Sequence, residues 1–278
     1  MTTVRWREQT PLVGREAELS KLADLLRHVR VGHSGVVFVV GEPGIGKTRL
    51  LVELAQRARR QDWHVLLGHA YESEGMPPYL PFTEALRDYV RACPPDEARD
   101  LLQAITPDVA RLLPDVATPL TVGEGDSSLE LDTRDPKAHR YRLFEHLCDV
   151  VFKVASSPQG LLVCLDDLHW ADEPTLQLLL HLVRRLDEAP VLLVCSYRST
   201  ASGAGQALTD TLAEMNRQRL CHRLVIDALS RDELGSLITY LGGPATPVVT
   251  DMIHRQTGGN PYFACELVRH LQDEGHDL

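Results

Sequence analysis

The sequence has no long hydrophobic run, no closely paired cysteines and no surplus of positive charge. No stretch approaches the ~20 apolar residues that a helix needs to cross a bilayer. The start, MTTVRWREQT, lacks the apolar core of a secretory signal, so a cytoplasmic location is expected. The six cysteines at 93, 148, 164, 195, 221 and 265 form no CxxC pair and have no matching histidine spacing, which excludes the usual zinc and disulfide signatures. Reduced thiols are expected. Lys and Arg total 29 against 39 Asp and Glu, a formal charge of −10, which argues against binding nucleic acid chiefly by neutralising phosphates. What is present, 278 residues with 44% hydrophobic content, suffices for one large core or a medium core with an appendage.

Three apolar runs without polar alternation read as buried strands of a parallel sheet: VVFVV at 36–40, LLVCL at 161–165 and VLLVC at 191–195. WHVLLGH at 63–69 is a fourth candidate. Helical patterns lie between them, at 15–29 and at 175–186, where Leu176, Leu179, Leu180, Val183 and Leu186 share one face. This alternation predicts an α/β fold with a parallel sheet sandwiched by helices. From about 93 to 137 the pattern changes to short helices and then an acidic loop, TVGEGDSSLELDTRDPK, outside the sheet. After SYRST and the small polar ASGAGQ, RLVIDAL at 223–229 is the one strand-like stretch, and the end reads as a mostly helical unit. The expected division is a tail at 1–10, a core at 11–223 carrying the insertion at 93–137, and a helical unit at 224–278.

GEPGIGKT at 41–48 fits G-x-x-x-x-G-K-[ST], directly after a strand and before a helix. Loop amides and the helix N-terminus then face phosphate oxygens. Gly41, Gly44 and Gly46 permit close approach, with Ile45 and Arg49 in the same stretch; Lys47 would neutralise the β and γ phosphates and Thr48 would bind Mg²⁺. LLVCLDDLHWAD at 161–172 supplies the acidic partner. Asp166 is the candidate for Mg²⁺ and Asp167 for polarising the attacking water, each weighed against a helix or turn cap. Asp172, before EPTLQLLL, reads as an N-cap. His169 is a base, a γ-phosphate sensor or a packed loop residue, and Trp170 a packing residue. Arg198, ending VLLVCSYR, either reads the γ-phosphate at the sheet's carboxyl edge or pairs with a nearby acid.

With LVGREAEL at 12–19 and TGGNPYFACEL at 257–267 added in order, the chain resembles the AAA-type ATPase module of the STAND class. That module is found in large LuxR-type bacterial transcriptional regulators and in some multidomain adenylate cyclases. The resemblance implies a P-loop NTPase fold with a small C-terminal helical lid and ATP or ADP with Mg²⁺ as ligands. It places Val13, Gly14 and Arg15 against the adenine, and Pro261 against the base or ribose. From the residues themselves, Asn260 and Pro261 are an N-cap and a first-turn proline, an ordinary helix start.

The resemblance further implies a switch, closed with ADP and open and self-associating with ATP, its effector or DNA-binding output elsewhere in a larger chain or on a partner. No helix-turn-helix or repeat array is found in the sequence itself. Asp167 stands where faster ATPases have glutamate, so slow hydrolysis is expected. The alternatives are a non-hydrolysing ATP/ADP-binding module and the regulatory module of a cyclase-type protein. A generic motor is disfavoured, because no pore loop or DNA-contacting segment is identifiable.

Overall fold

A computed structural model describes residues 11–72, 75–117, 135–156, 159–199 and 205–274. The expected tail at 1–10, most of the acidic loop and most of ASGAGQ lie outside these residues. Five strands, β1 (Gly35–Gly41), β2 (His64–His69), β3 (Leu161–Asp166), β4 (Val191–Arg198) and β5 (His222–Val225), form one sheet. Its order is β2-β3-β4-β1-β5 and every pairing is parallel. The described helices are α1 (Glu16–Arg30), α2 (Lys47–Arg59), α3 (Leu80–Ala92), α4 (Pro95–Ala104), α5 (Pro107–Ala110), α6 (Pro114–Ala117), α7 (Pro136–Ala155), α8 (Glu173–Arg185), α9 (Gln206–Arg217), α10 (Arg231–Gly242), α11 (Pro247–Thr257) and α12 (Pro261–Asp273).

The unbroken apolar runs are explained by helices on both faces of the sheet. Val37, Val39, Leu162, Cys164, Leu192 and Val194 pack against α1 and α2. Their neighbours in the strands, Phe38, Val163, Leu165 and Leu193 among them, meet the larger layer built from α3 to α9. Each fully buried Leu or Val contributes about 1.5–3 kcal/mol. The insertion after residue 93 holds short helices and no strand among the described residues, as expected. Its Leu101, Val109, Leu113 and Val116 are buried in the main core, so α4 to α6 are part of that helical layer.

One boundary differs from the sequence expectation. β5 runs through residue 224, paired with β1, and the amide of Ile226 donates to Val40 O at 2.7 Å. The helical unit therefore begins after the strand. It comprises α10 to α12 around a small core of Leu229, Leu234, Leu237, Ile238, Ile253 and Val268. Ser230 and Glu233 form a reciprocal capping box at the start of α10.

At the sheet's outer edge, Glu84 on α3 accepts the outward main-chain N–H of His69 (3.2 Å) and the hydroxyl of Tyr71 (2.8 Å). No described helix is long and apolar enough to cross a membrane, and all six cysteines are free thiols.

Candidate functional site

The phosphate loop leaves β1 at Gly41 and enters α2 at Lys47. Gly44 has φ +76°, and a Cβ there would lie 2.7 Å from the Cβ of Tyr262. Glycine is thus required both for the conformation and for the start of α12 to rest on the loop. Buried Lys47 donates Nζ to Gly41 O (3.0 Å) and Glu42 O (2.9 Å), which arches the loop around its own lysine. Burial lowers the ammonium pKa, opposed by the nearby charges of Asp167 and Asp166.

Sheet register assembles the acidic half. Asp166 lies level with His69 on β2, and Arg198 level with Gly41. Asp166 is fully buried and accepts from Thr48 Oγ1 at 2.6 Å and from Ser196 Oγ; His69 Nδ1 lies 3.5 Å away. Burial alone would raise its pKa. Hydrogen bonds from His69, Ser196 and Thr48 outweigh that and hold it below the ordinary carboxylate value.

Asp167 behaves oppositely. Its backbone is left-handed (φ +56°), a conformation that aspartate tolerates better than most residues. Its N–H donates to Ser196 Oγ at 2.9 Å. Its carboxylate lies between two imidazoles, His169 Nδ1 at 3.7 Å and His69 Nε2 at 3.9 Å. Burial, then the charge of Asp166, raise its pKa. Adjacent carboxylates thus divide, one held ionised and one pushed toward protonation.

Asp172 occupies the N-cap of α8 as expected, but its carboxylate takes the Thr175 hydroxyl and no helix amide. Arg198 sits over the Trp170 ring, 5.4 Å from its centroid.

Between the phosphate loop, the N-terminal segment and α12 lies a cleft of about 400 Å³, within the range of small-molecule sites. Lys47, Thr48, Asp167 and Arg198 form its polar lining. Leu12, Val13, Val52, Leu237, Pro261 and Cys265 form its apolar lining, with Ile45, Gly44, Gly46, Arg15 and Arg49 also bordering it. Val13 packs on the core of the helical unit. Gly14 lies beside Glu233, where a Cβ would come within 2.5 Å of its carboxyl carbon. Arg15 is buried and donates to Ile45 O (3.2 Å) and Asp227 O (2.6 Å), tying the phosphate loop to the connection into the helical unit. Arg49 lies 3.4 Å from Glu53.

Asn260 caps α12 through the N–H of Tyr262 (3.1 Å) and donates its amide to Pro43 O (2.9 Å). The Tyr262 N–H also reaches Gly44 O at 3.3 Å.

The expected residues therefore converge, except that Asp166 is buried behind Thr48 and Gly14 and Gly41 flank the cleft without lining it. His69, Ser196 and Asn260's bond to Pro43 were beyond sequence reasoning, because each depends on strand register or on the docking of α12.

The donors at the acidic edge fit Mg²⁺. The Thr48 hydroxyl and the ionised carboxylate of Asp166 are hard oxygen ligands. Single ligand atoms of His69, Asp166 and Asp167 lie within 4.8 Å of one another.

A phosphate loop at the carboxyl edge of a parallel sheet, faced by a strand-end aspartate, defines a P-loop nucleotide-binding fold. The AAA ATPase domain model matches residues 11–194, and the chain belongs to that family. An uncharacterized protein of Rhizobium meliloti (strain 1021) is 27% identical over 262 residues, covering 92% of this chain and 25% of the relative. This chain thus spans about a quarter of the length of the curated relative it matches. AMPPCP-bound DnaA from Aquifex aeolicus shares the fold with a TM-score of 0.52 at 13% identity, covering 97% of this chain and 65% of that one. A STAND protein with a tetratricopeptide repeat sensor from Pyrococcus horikoshii overlaps more loosely, with a TM-score of 0.46 at 18% identity over 94% of this chain and 30% of that one.

Proposed function

We infer that this chain is a STAND-class nucleotide switch that binds ATP and ADP with Mg²⁺ and hydrolyses ATP slowly. The carrying observation is the direct bonding of the helical unit to the phosphate loop, Asn260 to Pro43 O and Tyr262 N–H to Gly44 O. Phosphates entering the loop would act on the contacts that hold this lid.

In the chemistry that the residues support, Lys47 exchanges its carbonyl partners for β and γ phosphate oxygens, and Arg198 meets the γ-phosphate. Asp167 receives a proton from the water whose oxygen bonds to the γ-phosphorus, while the bond from that phosphorus to the bridging oxygen breaks, yielding ADP and inorganic phosphate. Mg²⁺, when bound by Thr48 and by Asp166 through water, supplies charge neutralisation on the phosphates. Val13, Gly14, Arg15 and Pro261 are assigned to the adenine and ribose side.

In this reading the module regulates a larger bacterial transcriptional regulator. It self-associates with ATP, works in the cytoplasm, and leaves DNA contact to a domain elsewhere in the chain or on a partner.

A second reading, a binding module without turnover, is favoured by the short side chain of Asp167, which stands where faster ATPases have glutamate; its raised pKa by itself makes it the stronger base. Asp167→Asn decides between them. The first reading expects phosphate release to fall about 100-fold or more with ATP affinity retained; unchanged release, measured with a phosphate sensor, would leave the second.

A further inference from the structure

His169 is buried without compensation. Its side chain has no exposed surface, and neither ring nitrogen has a hydrogen-bond partner among the described residues. Leaving such a group unpaired is costly, which calls for a role that satisfies it in another state.

The surroundings supply one. His169 Nδ1 lies 3.7 Å from Asp167 Oδ1, just beyond hydrogen-bonding distance. Its ring packs on Trp170 with centroids 4.9 Å apart, and Trp170 in turn carries the guanidinium of Arg198. Leu168 to Trp170 form a single 3-10 turn, so the imidazole and the indole are displaced together. Arg198 and Asp167 line the cleft, whereas the two rings between them do not. An unbroken set of contacts therefore joins two polar walls of the cleft from behind.

We propose that this set is a relay in which a γ-phosphate draws Arg198 off the Trp170 ring, the turn settles toward Asp167, and His169 Nδ1 donates to Asp167 Oδ1. The bond would hold the carboxylate in the orientation that receives the proton of the attacking water. The relay rests on the reading of the cleft as an ATP site, and in it His169 is a positioning residue that touches no nucleotide.

The energies permit it. A guanidinium over an indole is held weakly, whereas a charge-assisted bond to phosphate is among the stronger polar contacts. ADP, lacking the γ-phosphate, would leave Arg198 on the ring. Burial, then the charges of Arg198 and Lys47, lower the pKa of His169 to about 4, so the ring brings a donor without adding a charge.

The test uses the 278-residue chain with 5-fluorotryptophan at its three tryptophans, the Trp170 signal being assigned by its loss in Trp170→Phe. Mg·AMPPNP should shift the Trp170 fluorine resonance and Mg·ADP should not, and Arg198→Ala at saturating nucleotide should remove the difference. In steady-state hydrolysis His169→Ala should lower kcat about tenfold with KM within about twofold, and His169→Asn, which keeps a donor near Nδ1, should recover most of the loss.

Identical Trp170 resonances with AMPPNP and ADP overturn the relay. So does a parental kcat in His169→Ala, or an Asn variant no better than Ala when both melt like the parent. If the His169 variants do not fold, or if the parent binds both nucleotides without releasing phosphate, the resonance comparison alone decides the relay. In the latter case the hydrolysis reading falls separately. A parent that binds neither nucleotide sinks both.

Discussion

The side-chain amide of Asn260, at the first turn of α12, donates to the main-chain oxygen of Pro43 in the phosphate loop at 2.9 Å. The same residue caps α12 through the Tyr262 N–H, so one buried side chain both starts the last helix and fastens it to the loop. Asn260→Ala should cost about 1–3 kcal/mol of local stability, from a lost cap and an unpaired carbonyl. Hydrogen exchange at the Tyr262 amide measures this directly. Unchanged protection would show that the Gly44 carbonyl alone holds the lid.

Lys47→Ala should remove most of the affinity for ATP and weaken ADP less, because ATP loses the neutralisation of both its β and γ phosphates and ADP only that of its β-phosphate. The protein should remain folded, since among the described residues Lys47 bonds only to Gly41 O and Glu42 O. Calorimetric titration of both nucleotides gives the result, and undiminished ATP binding would contradict the assignment of the loop.

Pro261 borders the apolar part of the cleft. Pro261→Ala should therefore reduce ADP affinity several-fold, on the order of 1 kcal/mol for lost apolar contact, and leave inorganic triphosphate binding nearly unchanged. Equal affinities for ADP in the two proteins would reduce Pro261 to a helix start.

The imidazole of His69 gives a pH prediction. Burial pushes its pKa down, but the hydrogen bond to Asp166 and the charges of Asp166, Asp167 and Glu84 prevail, and the folded-state value is raised above 6.5. A group raised on folding contributes stability that is complete below its unfolded pKa and is lost as pH rises through the folded one. Without nucleotide or Mg²⁺, the parent should lose stability relative to His69→Gln as pH rises above about 6.5. Urea denaturation in EDTA across that range measures it; parallel curves would show that the pair with Asp166 carries no linked proton.

The motifs that were legible are those whose chemistry is local. GEPGIGKT and the doubled aspartate each announce themselves within a dozen residues, and four of the five strands follow from unbroken apolar runs. β5 is only partly legible: RLVIDAL overlaps it, but its residues are mostly exposed, so HRLV carries little of the buried-strand signal. Ser196 and His69 could not be assigned from spacing, since β2, β3 and β4 meet only through sheet register. Arg15 was placed near the adenine by family likeness; the structure puts it at the cleft but spends its guanidinium on two main-chain oxygens. The capping box at Ser230 and Glu233 was readable in the S-x-x-E spacing and went unused.

Glu84 has a consequence for assembly. By taking the outward N–H of His69 at the end of β2, it consumes a donor that a strand from another chain would need. Copies of this protein are thereby steered away from joining sheets at the edge nearest the aspartates. The opposite border, β5, offers four residues, too short a seam for a firm ribbon. Contacts between the helical faces of two copies would leave the sheet and its occupied edge undisturbed.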